Sequence, residues 1–134
     1  MKVIKVAAAV LNQTPRDWRG NKANIIEAIR QAKDQKVSVL CLPEMCITGY
    51  GMEDDYFCED VSNRAIRKLK EIITAPKDER RMSHLCDNLI FCVGLPIRFN
   101  NALYNAVATV VNGKVVGISC KQHLAGDGIH YENR

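Results

Sequence analysis

The sequence has no apolar run long enough to cross a bilayer. Its first uninterrupted apolar run, Val6 to Leu11, is shorter than the hydrophobic part of a secretion signal, and no convincing cleavage site follows it. We therefore interpret this run as part of a buried first strand. We expect a cytoplasmic protein with no membrane partner.

Disulfide and metal patterns are also missing. The 6 cysteines form no CxxC pair, and the 3 histidines show no metal-ligand spacing. Several cysteines lie inside apolar runs, which is typical of buried free thiols in a reducing compartment. We expect no disulfide framework, no metal site and no cofactor bound by this chain itself.

The sequence has no strongly basic segment. Its net charge is +4, and the basic residues are scattered along the chain. The adjacent pair Arg80-Arg81 is flanked by Asp78 and Glu79. This pattern favours a solvated surface over a nucleic-acid interface, so we expect no nucleic-acid partner.

Apolar periodicity predicts two helices between strands. Asn21 is predicted to cap the first helix, whose apolar face is Ile25, Ile29 and Ala32. Ser62 is predicted to cap the second, which bears Ile66, Leu69 and Ile73 and stops before Pro76. Five strands are predicted around these helices, over residues 2–11, 37–42, 88–95, 103–111 and 114–120.

The order β-α-β-α-β-β-β predicts an α/β sandwich that is not purely parallel. Pro96 is predicted to close the third strand, and Asn112-Gly113 to form a hairpin turn. With 134 residues the chain can form one domain. Five strands covered by only two helices would leave one sheet face bare, so we expect a part of a larger unit.

Two charged residues follow apolar strands. Glu44 comes after the second predicted strand and Pro43, and Lys121 directly follows the last strand. If both strands run in the same direction, these side chains meet at one edge and can serve as a general base and an oxyanion stabiliser. A surface lysine with its stem over the strand is the alternative for Lys121.

The nucleophile that such a pair would serve is not evident. Cys120 precedes Lys121, but successive strand residues point to opposite faces. Cys46 lies two residues after Glu44, in an unknown direction. Both thiols are also explained as packed side chains.

Two segments resemble a known family. "LCLPEMCITGYGMEDDYF" resembles the first catalytic segment of the nitrilase, or carbon–nitrogen hydrolase, superfamily, and "ISCKQHLAGDGIHYENR" resembles its lysine segment. The finer resemblance, carried also by "VGLPIRFNNALYNAVATVVNGKVVG", is to the glutaminase domains of glutamine-dependent NAD(+) synthetases. This implies a nitrilase-like α-β-β-α sandwich, of which residues 1–134 are the N-terminal part.

The resemblance implies roles for individual residues. Glu44 matches the general base, Lys121 the catalytic lysine, and Glu132 a second carboxylate that positions the lysine and the substrate amide. A solvated loop acid is the alternative for Glu132. Asp127 lies where related synthetases contact glutamine. The family's nucleophilic cysteine is expected beyond Arg134.

The resemblance also implies a reaction. The glutaminase would hydrolyse the side-chain amide of L-glutamine, and a separate synthetase domain with ATP and Mg²⁺ would use the ammonia to convert nicotinic acid adenine dinucleotide to NAD+. Superfamily members pair face to face, so we expect a homo-oligomer. The alternatives are an amidase acting on another small amide and a non-catalytic fragment.

Overall fold

The computed structural model describes residues 3–75 and 83–125. They form a five-stranded sheet and two helices in the predicted order, with one added 3₁₀ helix. The elements are β1 (Val6–Ala8), α1 (Trp18–Asp34), β2 (Val39–Cys41), the 3₁₀ helix (Glu53–Phe57), α2 (Glu59–Ile73), β3 (Ile90–Phe99), β4 (Ala102–Val111) and β5 (Lys114–Cys120). The predicted α/β class and mixed sheet are confirmed.

The strands lie in the sheet in the same order as in the chain. β1, β2 and β3 are parallel to one another, β4 is antiparallel to β3, and β5 is antiparallel to β4. β2 and β5 therefore run in the same direction. Their carboxyl ends lie at the same edge of the sheet, as the hypothesis for the two charged residues requires.

One hydrophobic core joins both helices to the sheet. Ile25 and Ile29 of α1 and Ile72 of α2 are completely buried in the same cluster as Phe91 and Val93 of β3. Phe91 and Val93 are two residues apart, so they face the same side of the sheet. Both crossover helices therefore cover that side.

Apolar side chains of the two edge strands face solvent. Val6 of β1 is 65% exposed, and Val116 and Ile118 of β5 are 61% and 50% exposed. The prediction of a buried first strand is therefore wrong, because β1 is short and lies at the edge of the sheet. Apolar surface of the sheet is thus exposed at both edge strands. Within the described ranges, no helix is both long enough and apolar enough to cross a membrane.

Both predicted helix caps are wrong. α1 begins three residues before Asn21, and the side chain of Asp17 caps it by accepting from the backbone N–H of Gly20. Asn21 is buried and exchanges hydrogen bonds with the backbone of Thr14. α2 begins at Glu59 after an extended Cys58, and Ser62 is a buried residue inside that helix.

Pro96 does not end β3, contrary to the prediction. The carbonyl oxygens of Cys92 and Gly94 point toward the β2 side, where they accept from Leu42 and Ile47. By alternation the nitrogen of Pro96 points to that same side, beyond the end of β2, which pairs only with residues 90–92. The missing N–H therefore costs no hydrogen bond between strands, and β3 continues to Phe99.

The predicted hairpin is present. Asn112 and Gly113 connect β4 to β5 with φ angles of 50° and 73°, as a type I′ turn requires. Asn100 and Asn101 form the preceding hairpin, also with positive φ angles, of 47° and 61°. Both turns are tight, so β3, β4 and β5 form a continuous antiparallel meander that brings the end of β5 back toward the turn after β2.

Candidate active site

Glu44 lies in a turn held against the first half of β3. On either side of the turn, the N–H of Leu42 donates to Cys92 (2.9 Å) and the N–H of Ile47 donates to Gly94 (3.2 Å). Between these anchors, Met45 adopts a left-handed φ of 52°, which is unfavourable for a side chain of its size. Strain of this kind occurs at functional sites, where the surrounding structure enforces it.

Lys121 reaches Glu44 from the end of β5. Its Nζ donates to Glu44 Oε1 over 3.1 Å, and its backbone N–H donates to the carbonyl oxygen of Asn105 over 2.8 Å. The side chains of Lys121 and Glu44 are 32% and 42% exposed. An ion pair with this exposure contributes only about 0–1 kcal/mol to stability, so stability alone does not account for it.

Asn105 is a further component of this site, although the sequence favours a residue that shapes the sheet at this position. It lies on β4, is only 4% exposed, and its Nδ2 donates to Glu44 Oε1. The available signal was a carboxamide within the apolar strand Ala102–Val111, since a buried amide needs a polar partner. Asn105 thus contacts Glu44 with its side chain and Lys121 with its backbone.

These residues line a pocket of about 300 Å³ at the edge of the sheet. Glu44, Asn105 and Lys121 supply its charged and amide groups, and its remaining walls are Leu42, Pro43, Gly94, Ala106, Val107, Ser119 and Cys120. A volume of this size suits a small polar molecule. The larger hollow, of about 500 Å³, lies between β1 and α1, and Glu27 is the one ionisable residue of its lining.

Two cysteines, Cys46 and Cys86, have raised pKa values because they are buried. Burial raises the pKa of the Cys46 thiol to about 12 and that of Cys86 to about 11. Cys46 also donates weakly to the carbonyl oxygen of Gly94. Since the thiolate is the nucleophilic form, these raised pKa values disfavour both thiols as nucleophiles at neutral pH.

Of the four predicted site residues, Glu44 and Lys121 are brought together. Asp127 and Glu132 lie outside the described residues. No group of three or more metal-ligating side chains occurs within residues 3–75 and 83–125. A carboxylate that can accept a proton, beside an ammonium that can stabilise negative charge, is suited to acid–base catalysis of acyl transfer.

The comparisons with known proteins agree with this architecture. Residues 5–133 match the family described as "Carbon-nitrogen hydrolase". The chain belongs to the carbon–nitrogen hydrolase family. The fold of this carbon–nitrogen hydrolase chain is similar to that of a glutamine-dependent NAD(+) synthetase from Cytophaga hutchinsonii, with a TM-score of 0.86 and 43% identity over 96% of this chain and 20% of that one. The predicted nitrilase-like fold is confirmed.

Curated relatives of this carbon–nitrogen hydrolase chain point to the same branch. It is 33% identical, over its whole length, to a glutamine-dependent NAD(+) synthetase from Oryza sativa subsp. indica, of which it spans 17%. The chain therefore corresponds to a small part of that relative. Its fold is also similar to the NitN amidase from Neterenkonia sp. AN1, with a TM-score of 0.71 and 17% identity over 93% of this chain and 46% of the amidase.

Proposed function

We propose that this chain contributes the acid–base residues of a glutaminase that releases ammonia from L-glutamine for the synthesis of NAD+. The observation that carries the proposal is the 3.1 Å contact between Lys121 Nζ and Glu44 Oε1 at the pocket edge. The relatedness to glutamine-dependent NAD(+) synthetases supports glutamine as the substrate. Residues 1–134 then form the N-terminal part of the glutaminase domain.

In the first half-reaction, Glu44 accepts the proton of a cysteine thiol. The sulfur forms a bond to the amide carbon of glutamine, and the electron pair of the carbonyl double bond moves to oxygen. The ammonium of Lys121 stabilises this oxyanion. When the oxyanion collapses, the C–N bond breaks, and the proton held by Glu44 passes to the nitrogen, which leaves as ammonia.

In the second half-reaction, water hydrolyses the resulting thioester. Glu44 takes a proton from the water as its oxygen bonds to the acyl carbon, and Lys121 again faces the developing negative charge. Collapse breaks the C–S bond, and the sulfur regains its proton from Glu44. The products are glutamate and the free thiol, so Glu44 and Lys121 return to their starting ionisation states.

We propose that the nucleophilic cysteine comes from outside residues 1–134. The high pKa values of Cys46 and Cys86 argue against either thiol as the nucleophile. Cys120 lines the pocket beside Lys121, so it is the thiol of this chain whose substitution tests this part of the proposal. We also propose that Glu132 positions Lys121 and the amide, and that Asp127 contacts glutamine.

We propose that a separate synthetase domain uses the ammonia to form NAD+. No step above involves ATP or Mg²⁺, which we assign to that separate domain. The free cysteines support a cytoplasmic location. We propose a homo-oligomer in which apolar surface of the sheet is covered.

The test compares two sources of ammonia for NAD+ formation by the full natural polypeptide. We expect Glu44→Gln to lower glutamine-dependent synthesis at least about 100-fold, because the base is lost. Synthesis from added ammonia should stay at the wild-type rate, which also verifies that the protein is folded. The matched acid-to-amide control is Glu27→Gln on α1, which should change neither rate.

Two results would contradict the proposal. Wild-type glutamine hydrolysis in Glu44→Gln would exclude Glu44 as the base. Release of ammonia from another small amide but not from glutamine would instead indicate a stand-alone amidase, the activity named for the structurally similar Neterenkonia protein.

A further inference from the structure

The carboxamide of Asn105 is directed at Glu44 from within the sheet. Asn105 is 4% exposed on β4, so its amide needs hydrogen-bond partners to offset the loss of water. A carboxylate can only accept hydrogen bonds, and the group that Asn105 presents to Glu44 Oε1 is its Nδ2 donor. The interaction is therefore a charge-assisted hydrogen bond, which is stronger than one between neutral groups.

This bond and the one from Lys121 end on the same oxygen atom. Asn105 Nδ2 and Lys121 Nζ both donate to Glu44 Oε1. Within residues 3–75 and 83–125, no hydrogen bond ends on Oε2. The two donors restrict rotation of the carboxylate about its terminal bond, and they leave Oε2 as the oxygen that can receive a proton.

Asn105 also connects the two charged residues through its backbone. Its carbonyl oxygen accepts from the N–H of Lys121 over 2.8 Å, one residue beyond the end of β5. The same residue thus fixes the exit of Lys121 from the sheet and the orientation of Glu44. Any residue at position 105 would offer this backbone carbonyl, whereas the hydrogen bond to Glu44 Oε1 requires a side-chain donor, so the contact with Glu44 is the one specific to asparagine.

We propose that Asn105 is a positioning residue for the base: it holds Glu44 Oε1 so that Oε2 faces the proton it must accept. This inference rests on the proposed glutaminase function. It assigns the proton transfers to one oxygen atom, Oε2, and the permanent hydrogen bonds to the other. Loss of the carboxamide donor should then lower kcat for glutamine hydrolysis more than it changes KM.

The test compares Asn105→Ala with Asn105→Ser in the full natural polypeptide. The two variants leave nearly the same space but differ in one hydroxyl group, which can donate to Glu44 directly or through a water molecule. We expect Asn105→Ala to lower kcat about 10- to 100-fold, because this is the rate change that corresponds to the loss of one hydrogen bond to a charged group. Asn105→Ser should recover several-fold of that loss.

Asn105→Leu separates positioning from space filling. Leucine has the same number and branching of side-chain heavy atoms as asparagine and fills the space without a donor, so we expect its kcat to stay as low as that of Asn105→Ala. Recovery by Asn105→Leu and none by Asn105→Ser would overturn the proposal. The matched control is Thr109→Val, four residues along β4 on the same face, which should leave kcat and KM unchanged.

The midpoint of thermal unfolding, measured for each variant, shows whether a low kcat comes from loss of the folded structure. If Asn105→Leu unfolds at the assay temperature, the Asn105→Ala and Asn105→Ser pair still decides the question, since the two share the same cavity. Equal kcat values in folded Ala, Ser and wild-type proteins would overturn the inference about Asn105 alone. Absence of glutamine hydrolysis in the wild-type protein would instead overturn the proposed function.

Discussion

Gly94 of β3 lies directly beneath the backbone of Met45. A β-carbon added to Gly94 would lie 2.4 Å from the nitrogen of Met45 and 2.7 Å from the carbonyl oxygen of Pro43. Both atoms belong to the backbone of the turn that carries Glu44, so neither can move without moving that turn. Glycine at this position therefore allows the turn to pack on β3 at the depth where Glu44 meets Lys121.

Gly94→Ala should therefore disturb the position of Glu44, because the added methyl group would push against the backbone of its turn. We expect the turn to be displaced, with a loss of about 1–3 kcal/mol in the free energy of unfolding from overpacking and a marked fall in kcat/KM for glutamine. The control is Gly117→Ala on β5, where a β-carbon would meet nothing within 4 Å. Thermal unfolding and ammonia release measure the two effects. Wild-type activity in Gly94→Ala would show that the turn tolerates the shift.

Lys121→Ala should abolish most glutaminase activity. In the proposed mechanism the ammonium stabilises the oxyanion, and removing one such donor costs about 100- to 1,000-fold in kcat. Lys114→Ala, at the other end of β5, provides a lysine-to-alanine control and should be neutral. Stability should change little, because the Glu44 pair is partly exposed. An unchanged kcat in Lys121→Ala would mean that the lysine is a surface residue.

The strands and their order could be predicted from local pattern. Lys114–Cys120 coincides with the predicted last strand, since Asn112-Gly113 fixes the turn before it. The helix caps failed because Asn21 and Ser62 are residue types that favour caps, whereas here both are buried inside helices. The prediction that Pro96 ends β3 failed because a proline is tolerated within this strand only where β2 no longer pairs with it. Where β2 ends depends on the tertiary structure.

Of the candidate site residues that the structure describes, only the charged ones that follow strands could be predicted from the sequence. Glu44 and Lys121 are separated by 77 residues, yet the shared direction of β2 and β5 places them together. Asn105 lies in the middle of a strand, where its carboxamide stands out among apolar residues but does not show which group it contacts. Its contact with Glu44 depends on which face of β4 lies toward the turn at Glu44, and that is known only from the packed sheet.

Cys46 should resist thiol reagents in the native protein. Its pKa of about 12, raised from 9.0 mainly by burial, leaves only about one thiolate in 10,000 at pH 8. Cys58 is exposed and serves as the internal comparison. We expect alkylation of Cys46, followed by mass spectrometry, to be about 100-fold slower or more, and the difference to vanish in denaturant. Equal native rates would contradict the buried placement.

Cys120 provides the test of where the nucleophile originates. It is exposed and lines the pocket beside Lys121, so it is the cysteine of this chain with the best access to a bound amide. If the thiol that attacks glutamine comes from elsewhere in the polypeptide, Cys120→Ser should retain glutamine hydrolysis within about twofold, as expected for a conservative change outside the chemical step. The 134-residue chain assayed alone should release no ammonia from glutamine. Turnover by that chain, lost in Cys120→Ser, would make Cys120 the nucleophile and place the complete reaction within these residues.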